Sequence, residues 1–194
     1  MSLKEQVYSV LVVSAAEKFN QALPEIFSVP VFSPVNTVSN VSAAKRAVTE
    51  RDFDIVIINS PLPDDSGVRF AIDTVSSCGA AVLFLAREEQ YPDMFDKLAE
   101  HGAFLMQKPV SKSSFILASE WLISARERLR KTEKKTLSIE EKMNEIRLVN
   151  RAKWLLISEL KMTEPDAHRH IEKQAMDRCV SKRLIAEEII KTYG

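Results

Sequence analysis

The chain has 194 residues, 45% of them apolar, with 27 Lys+Arg against 27 Asp+Glu and a formal net charge of zero. That is enough apolar content for a real core, while four glycines and eight prolines exclude collagen-like and largely disordered chains. No apolar run approaches the roughly 20 residues that span a bilayer, and no basic start precedes an apolar signal core, so a cytoplasmic protein is expected.

Neutrality conceals a division. Residues 1–111 carry 9 Lys+Arg and 14 Asp+Glu, a net −5, whereas residues 112–194 carry 18 and 13, a net +5. An acidic module joined to a basic one is expected, and a polyanion would bind the basic half. Cys78 and Cys179 are isolated thiols that suit a reducing compartment and offer neither a disulfide framework nor a metal site.

In chain order, Tyr8–Val13 is a short apolar, β-branched run, and 31–35 is a weaker one. Ala43, Ala44, Ala47 and Val48 recur at helical spacing. Residues 54–59 and 80–85 are continuous apolar runs. Met94, Phe95, Leu98 and Ala99 mark another helix before a last run at 103–106. Continuous apolar strands imply burial on both faces, as in parallel sheets, and alternation with helices predicts a doubly wound α/β domain of five strands.

The punctuation is more specific. Asn59 ends a strand, Pro63 and Gly67 follow four and eight residues later, and Lys108-Pro109 ends the last strand. Residues 6–112 therefore resemble the receiver domain of two-component response regulators. In that family a strand-end Asp accepts a phosphoryl group, an acidic pair holds magnesium, a hydroxyl switches, and a lysine contacts the phosphoryl oxygens. Here the acceptor position is Asn59, whose neutral amide is a poor nucleophile. The acidic pair falls on Ser14-Ala15, which lacks the hard oxygen ligands magnesium requires. The switch position falls on Leu85 or Ala86, and Lys108 alone is retained. The resemblance thus implies a pseudo-receiver: the fold without aspartyl phosphorylation. Asp64 and Asp65 lie in the next loop, where a solvated turn is the simpler expectation than a cation site.

From Ser113 there is no Pro or Gly until Pro165. Leu122, Ala125, Leu129, Thr132, Thr136, Ile139, Met143, Ile146 and Asn150 are spaced alternately by three and four, which predicts a coiled-coil seam and a parallel homodimer. Asn150 is a polar seam residue of the kind that fixes register. Ser138-Ile139-Glu140-Glu141 matches a capping box, so a break near Ser138 is left open.

Leu148, Ala152, Leu155, Leu156 and Ile157 give the end of this helix an apolar face. Thr163-Glu164-Pro165-Asp166 is a helix start, and the stripe Ala167, Ile171, Ala175 follows it. Ser181 caps a last short helix with Leu184, Ile185, Ile189 and Ile190 on its apolar face. One long and two short helices predict a small all-α domain. Trp121 and Trp154 are expected to pack on the long helix, with a partner face as the alternative for Trp121, and Cys179 to be a small buried filler.

Ala152-Lys153, Leu156, Met162-Thr163-Glu164, Ala167, the run Ile171-Glu172-Lys173-Gln174-Ala175-Met176-Asp177-Arg178, and Ala186-Glu187 resemble the ANTAR domain. The likeness covers residues 138–192, with His168 where an aromatic is common. It implies RNA-binding transcription antitermination: dimers engage a pair of small hairpin loops in a leader transcript and prevent the terminator from forming. The expected organisation is a receiver-like domain at 1–112, a coiled-coil linker at 113–137 and an ANTAR domain at 138–194.

The residues fit that implication. Arg169 and Lys173 are four apart on one face, beside His168, and Arg178, Lys182 and Arg183 cluster at the turn into the last helix. Cations can contact hairpin phosphates, and a planar group can stack on an unpaired base. His168 and His170 fall on different sides of a helix, which argues against a zinc pair. No nucleophile–base constellation or phosphate-cradling glycine loop appears, so neither enzymatic activity nor a cofactor is expected. Two readings stand beside the antiterminator: a DNA-binding regulator using the last two helices, and a protein-interaction module. The first domain would take its signal from a protein or a small ligand.

Overall fold

The computed structural model describes residues 6–27 and 30–194. The chain divides into two compact units, residues 1–131 and 132–194.

In the first unit, β1 (Tyr8–Val13), β2 (Phe32–Val38), β3 (Ile55–Asn59), β4 (Ala81–Ala86) and β5 (Phe104–Gln107) form one sheet in the order β2-β1-β3-β4-β5. Every pairing is parallel, with Val10 opposite Ile55 and Ile55 opposite Ala81. The five strands fall where the apolar runs predicted them. Residues of β3 and β4 are buried throughout, because helices cover both faces. The edge strand β2 is half-exposed, and its Ser33, Pro34, Asn36 and Thr37 explain the weak sequence signal.

Alternation along each strand sorts the core into two layers. Leu11, Val13, Val56, Ile58, Val82 and Phe84 meet α2 (Val41–Glu50), α3 (Val68–Cys78) and α4 (Tyr91–Glu100) on one face. Val10, Val12, Ile55, Ile57, Leu83 and Leu85 meet α1 (Glu17–Ile26) and the start of α5 (Lys112–Leu160) on the other. Helices α1 and α3 add to the two helices expected between the strands. Gly67 has φ 83, and a Cβ there would lie 2.9 Å from Ile58 Cγ2, so the turn into α3 excludes a side chain.

Helix α5 runs without a break across Ser138. Its first turns belong to the sheet: Phe115, Ala118 and Leu122 are buried there, with Phe115 edge-on to Phe19 and Phe27. Polar contacts hold the next turns. Asp54 Oδ1 accepts from Arg126 Nε at 3.0 Å and Arg130 Nη2 at 2.8 Å, and Asp54 Oδ2 accepts from Ser9 N–H at 3.0 Å. Arg126 also donates to Gly79 O, Arg130 stacks over the Tyr8 ring, and Tyr8 donates to Glu127. Burial, reinforced by Glu127, pushes the Tyr8 phenol up to about 12. Burial also opposes ionisation of Asp54, but the Ser9 amide and the two guanidinium groups outweigh it and hold the carboxyl below its ordinary value.

In the second unit, α6 (Glu164–Asp177) and α7 (Lys182–Tyr193) pack on the end of α5. The predicted apolar faces form this core: Ala152 and Leu156 from α5, Ala167, Ile171 and Ala175 from α6, Ile185, Ala186 and Ile189 from α7. Thr163 and Ser181 accept the N–H groups of Asp166 and Leu184 as N-caps. Leu184 is a departure from the expected face, being 39% exposed. Among the described residues no helix is long and apolar enough to cross a membrane.

Candidate functional site

Two regions gather the residues singled out in the sequence. The first lies at the carboxyl ends of the strands, where a doubly wound sheet forms its crevice between β1 and β3. Asn59 and Ser14 are buried, and Asn59 Nδ2 donates to Ser14 Oγ at 3.0 Å. Lys108 Nζ donates to Asn59 Oδ1 at 2.6 Å and to Ser60 O. Both acceptors are neutral, so Lys108 forms no salt bridge with an acid among the described residues. Burial, with the Arg87 charge second, lowers the Lys108 pKa from its ordinary value. Leu85 is buried with its side chain in the core layer facing α1 and α5, and Ala15 is exposed at the loop.

Asp64 and Asp65 are engaged elsewhere. Asp64 accepts the Val41 and Ser42 N–H groups at 2.9 Å each and the Ser42 hydroxyl, so it caps α2; these bonds lower its pKa. Asp65 accepts from Gly67 N–H at 2.7 Å. Among the described residues no group of three or more His, Cys, Asp or Glu is arranged to hold a metal ion.

The second region is the α6–α7 surface. His168, Arg169 and Lys173 are exposed on α6. Among the described residues Arg169 and Lys173 have no ion-pair partner, whereas His168 Nε2 lies 3.3 Å from Glu172. The cations at the corner are on the surface but not solitary. Arg178 makes a two-pronged contact with Glu188 at 2.5 and 2.8 Å, Lys182 meets Glu172 at 2.5 Å, and Arg183 meets Glu187 at 2.8 Å. These contacts lower the Glu172 and Glu188 pKa values and raise those of Arg178 and Arg183. His170 faces Gln174, not His168.

Three expectations are corrected here. Trp154 is 71% exposed, at a cleft lined by Asn150, Lys153, Ile157 and Met162, and Trp121 is 54% exposed; neither is a packing residue. Cys179 is exposed with φ 52, since it turns the chain between α6 and α7. Trp154 was missed because it sits among apolar residues whose helical spacing reads as core; only its position off the stripe Leu148–Ala152–Leu155–Leu156 could have marked it.

The seam residues divide. Leu122 is 1% exposed in the first unit's core, so it cannot meet a second chain, and the expectation is corrected. Leu129, Ile139, Met143 and Ile146 are 37–59% exposed, and Asn150 is exposed with them along α5.

Comparison with known proteins places these features. The ANTAR domain model matches residues 138–190. The transcriptional regulatory protein PdtaR of Mycobacterium tuberculosis is 32% identical over 142 residues, covering 73% of this chain and 69% of that protein. The signal receiver domain of an HD domain-containing protein from Pseudomonas fluorescens superposes with a TM-score of 0.57 at 18% identity, over 65% of this chain and 93% of that one. A response regulator receiver domain protein from Clostridium thermocellum gives 0.56 at 20% identity, over 63% and 99%. The chain belongs to the ANTAR-domain transcription antitermination regulators that carry an amino-terminal receiver-like domain.

Proposed function

We propose that this protein acts as a dimer that binds paired hairpin loops in a leader transcript and so prevents terminator formation, with the ANTAR unit at 138–194 as the RNA-binding part. The observation that carries this reading is the pair Arg169 and Lys173, exposed on α6 and without acidic partners among the described residues. Arg178, Lys182 and Arg183 add to it, because surface ion pairs are weak and exchangeable, and a phosphate can replace each glutamate. His168 and Trp154 supply planar groups for unpaired loop bases.

The exposed stretch Ile139, Met143 and Ile146 supports dimerisation through α5, with Asn150 setting register. Two identical surfaces on one particle would engage two loops, and linkage would raise apparent affinity without new contacts. The first domain takes its input without phosphoryl transfer, since Asn59, Ser14 and Ala15 lack the nucleophile and the magnesium ligands. A protein or a small ligand supplies that input.

A gel-shift series tests the reading. Two-hairpin leader RNA should bind well ahead of arbitrary hairpins and of duplex DNA at matched salt, and joint substitution of Arg169 and Lys173 by Ala should weaken it. Duplex DNA outcompeting the RNA would favour a DNA-binding regulator. Intact activity in cells after joint loss of Arg178, Lys182 and Arg183 would favour a protein-interaction module.

A further inference from the structure

We propose that the cleft between α1 and the start of α5, at the carboxyl ends of β3 and β4, binds a small carboxylate with an apolar body. This rests on the reading that the first domain takes its input without phosphoryl transfer. The cleft encloses about 300 Å³. Its walls are Phe19, Ala22 and Ile26 of α1, Leu85 of β4, and Val110 and Phe115. That volume is at the small end of ligand sites, and it suits a ring or a short chain.

The cleft has a largely cationic polar lining. Asn59 and Lys108 line it, with Lys18 and Lys112. Lys112 already has a partner, Glu25 at 2.7 Å. Lys108 has none of opposite charge among the described residues: its acceptors are the Asn59 amide oxygen and the Ser60 carbonyl. An ammonium has three N–H donors, so one remains for a ligand. A half-buried cation held only by neutral acceptors gains most from an anion that brings its own apolar cover. Inorganic phosphate would satisfy the charge and leave the apolar walls unfilled. A carboxylate on a ring or short chain satisfies both, and it would touch Phe115 in the first turn of α5.

The test uses the full chain, titrated calorimetrically with phenylacetate and octanoate, with the corresponding amides and with inorganic phosphate, at constant ionic strength. At least one acid should bind saturably, its amide should be about tenfold weaker or worse, and phosphate should not displace it. Lys108→Met should lose binding through the charge. Ala22→Phe should lose it by filling the cleft, since Ala22 is exposed at the edge and its replacement leaves the core intact. Should Lys108→Met fail to fold, the Ala22→Phe result decides. No saturable binding of either acid, equal binding of the amide, displacement by phosphate, or retention in either folded variant would overturn the proposal. Hairpin-RNA binding and intact mass after exposure to acetyl phosphate are read separately on the same protein. Loss of the former, or a phosphorylated chain in the latter, sinks the functional reading without touching the titration.

Discussion

At Asp54 one carboxylate organises the junction between the sheet and α5. It is 13% exposed and serves two guanidinium groups and the Ser9 amide. Asp54→Asn removes the charge and keeps the shape, and it should cost about 2 kcal/mol, read from the urea midpoint. The pH dependence has a definite sign. The folded carboxyl titrates below the unfolded value of about 4, so its contribution is complete above that value. It is lost as pH falls through the lower folded value. The difference in midpoint between native protein and Asp54→Asn should therefore be constant at neutral pH and shrink on acidification; a difference that grows would contradict the assignment. At Asn59 a second change is informative. Asn59→Asp restores a carboxylate beside Lys108, yet Ser14 and Ala15 still offer no magnesium ligands, so acetyl phosphate should leave the intact mass unchanged. Asn59 was legible in the sequence as a site position, whereas the role of Asp54 was not, and the partners of neither could be read there. Arg178 and Glu188 are ten residues apart and meet only because α6 turns into α7 at Cys179. Asp64 likewise looked like a loop acid until α2 was seen to start against it.

Helix α5 shows what a periodic pattern does and does not say. Spacing by three and four establishes an apolar stripe, but the same stripe serves a partner chain or the protein's own sheet. Leu122 and Ile139 look equivalent in sequence, yet one is buried against the sheet and the other is 48% exposed. The apolar runs located β1, β3 and β4 most clearly because strands covered on both faces have no polar alternation to blur them, whereas the edge strand β2 is partly exposed and read weakly. Helix α1 has an apolar face of Phe19, Ala22, Leu23 and Ile26 at helical spacing, but it is short and contains Pro24, which hid it. Paired substitution Ile139→Glu and Ile146→Glu puts charges on the seam without disturbing either core; sedimentation should show a dimer become a monomer with unchanged helicity. A native monomer would contradict the seam. The caps make a second prediction. Thr163→Ala and Ser181→Ala should each cost about 1 kcal/mol in thermal unfolding of the second unit, because each frees one orphan N–H at a helix start.

Across the whole molecule, the boundary between acidic and basic sequence near residue 111 does not coincide with the boundary between the two units, which carry net −2 over 1–131 and +2 over 132–194 and differ in chemistry. The first keeps a receiver sheet whose strand-end crevice has a lysine, an amide and an apolar cleft in place of acids. The second carries basic groups on α6 and α7. The net charge of +5 over residues 112–194 was legible, but part of it lies on the first unit's stretch of α5, and the pairing of Arg178, Lys182 and Arg183 with glutamates was not legible, since pairing depends on helix contacts. Exposed cations without an ion pair act first on an approaching polyanion, so Arg169 and Lys173, unpaired among the described residues, should govern affinity more than their paired neighbours. The most direct measurement is the mass of the complex formed with a two-hairpin leader RNA, read by light scattering alongside its affinity. The account predicts two chains on one RNA and a sharp loss of affinity when one hairpin is deleted. One chain per RNA, or equal affinity for the single hairpin, would contradict it.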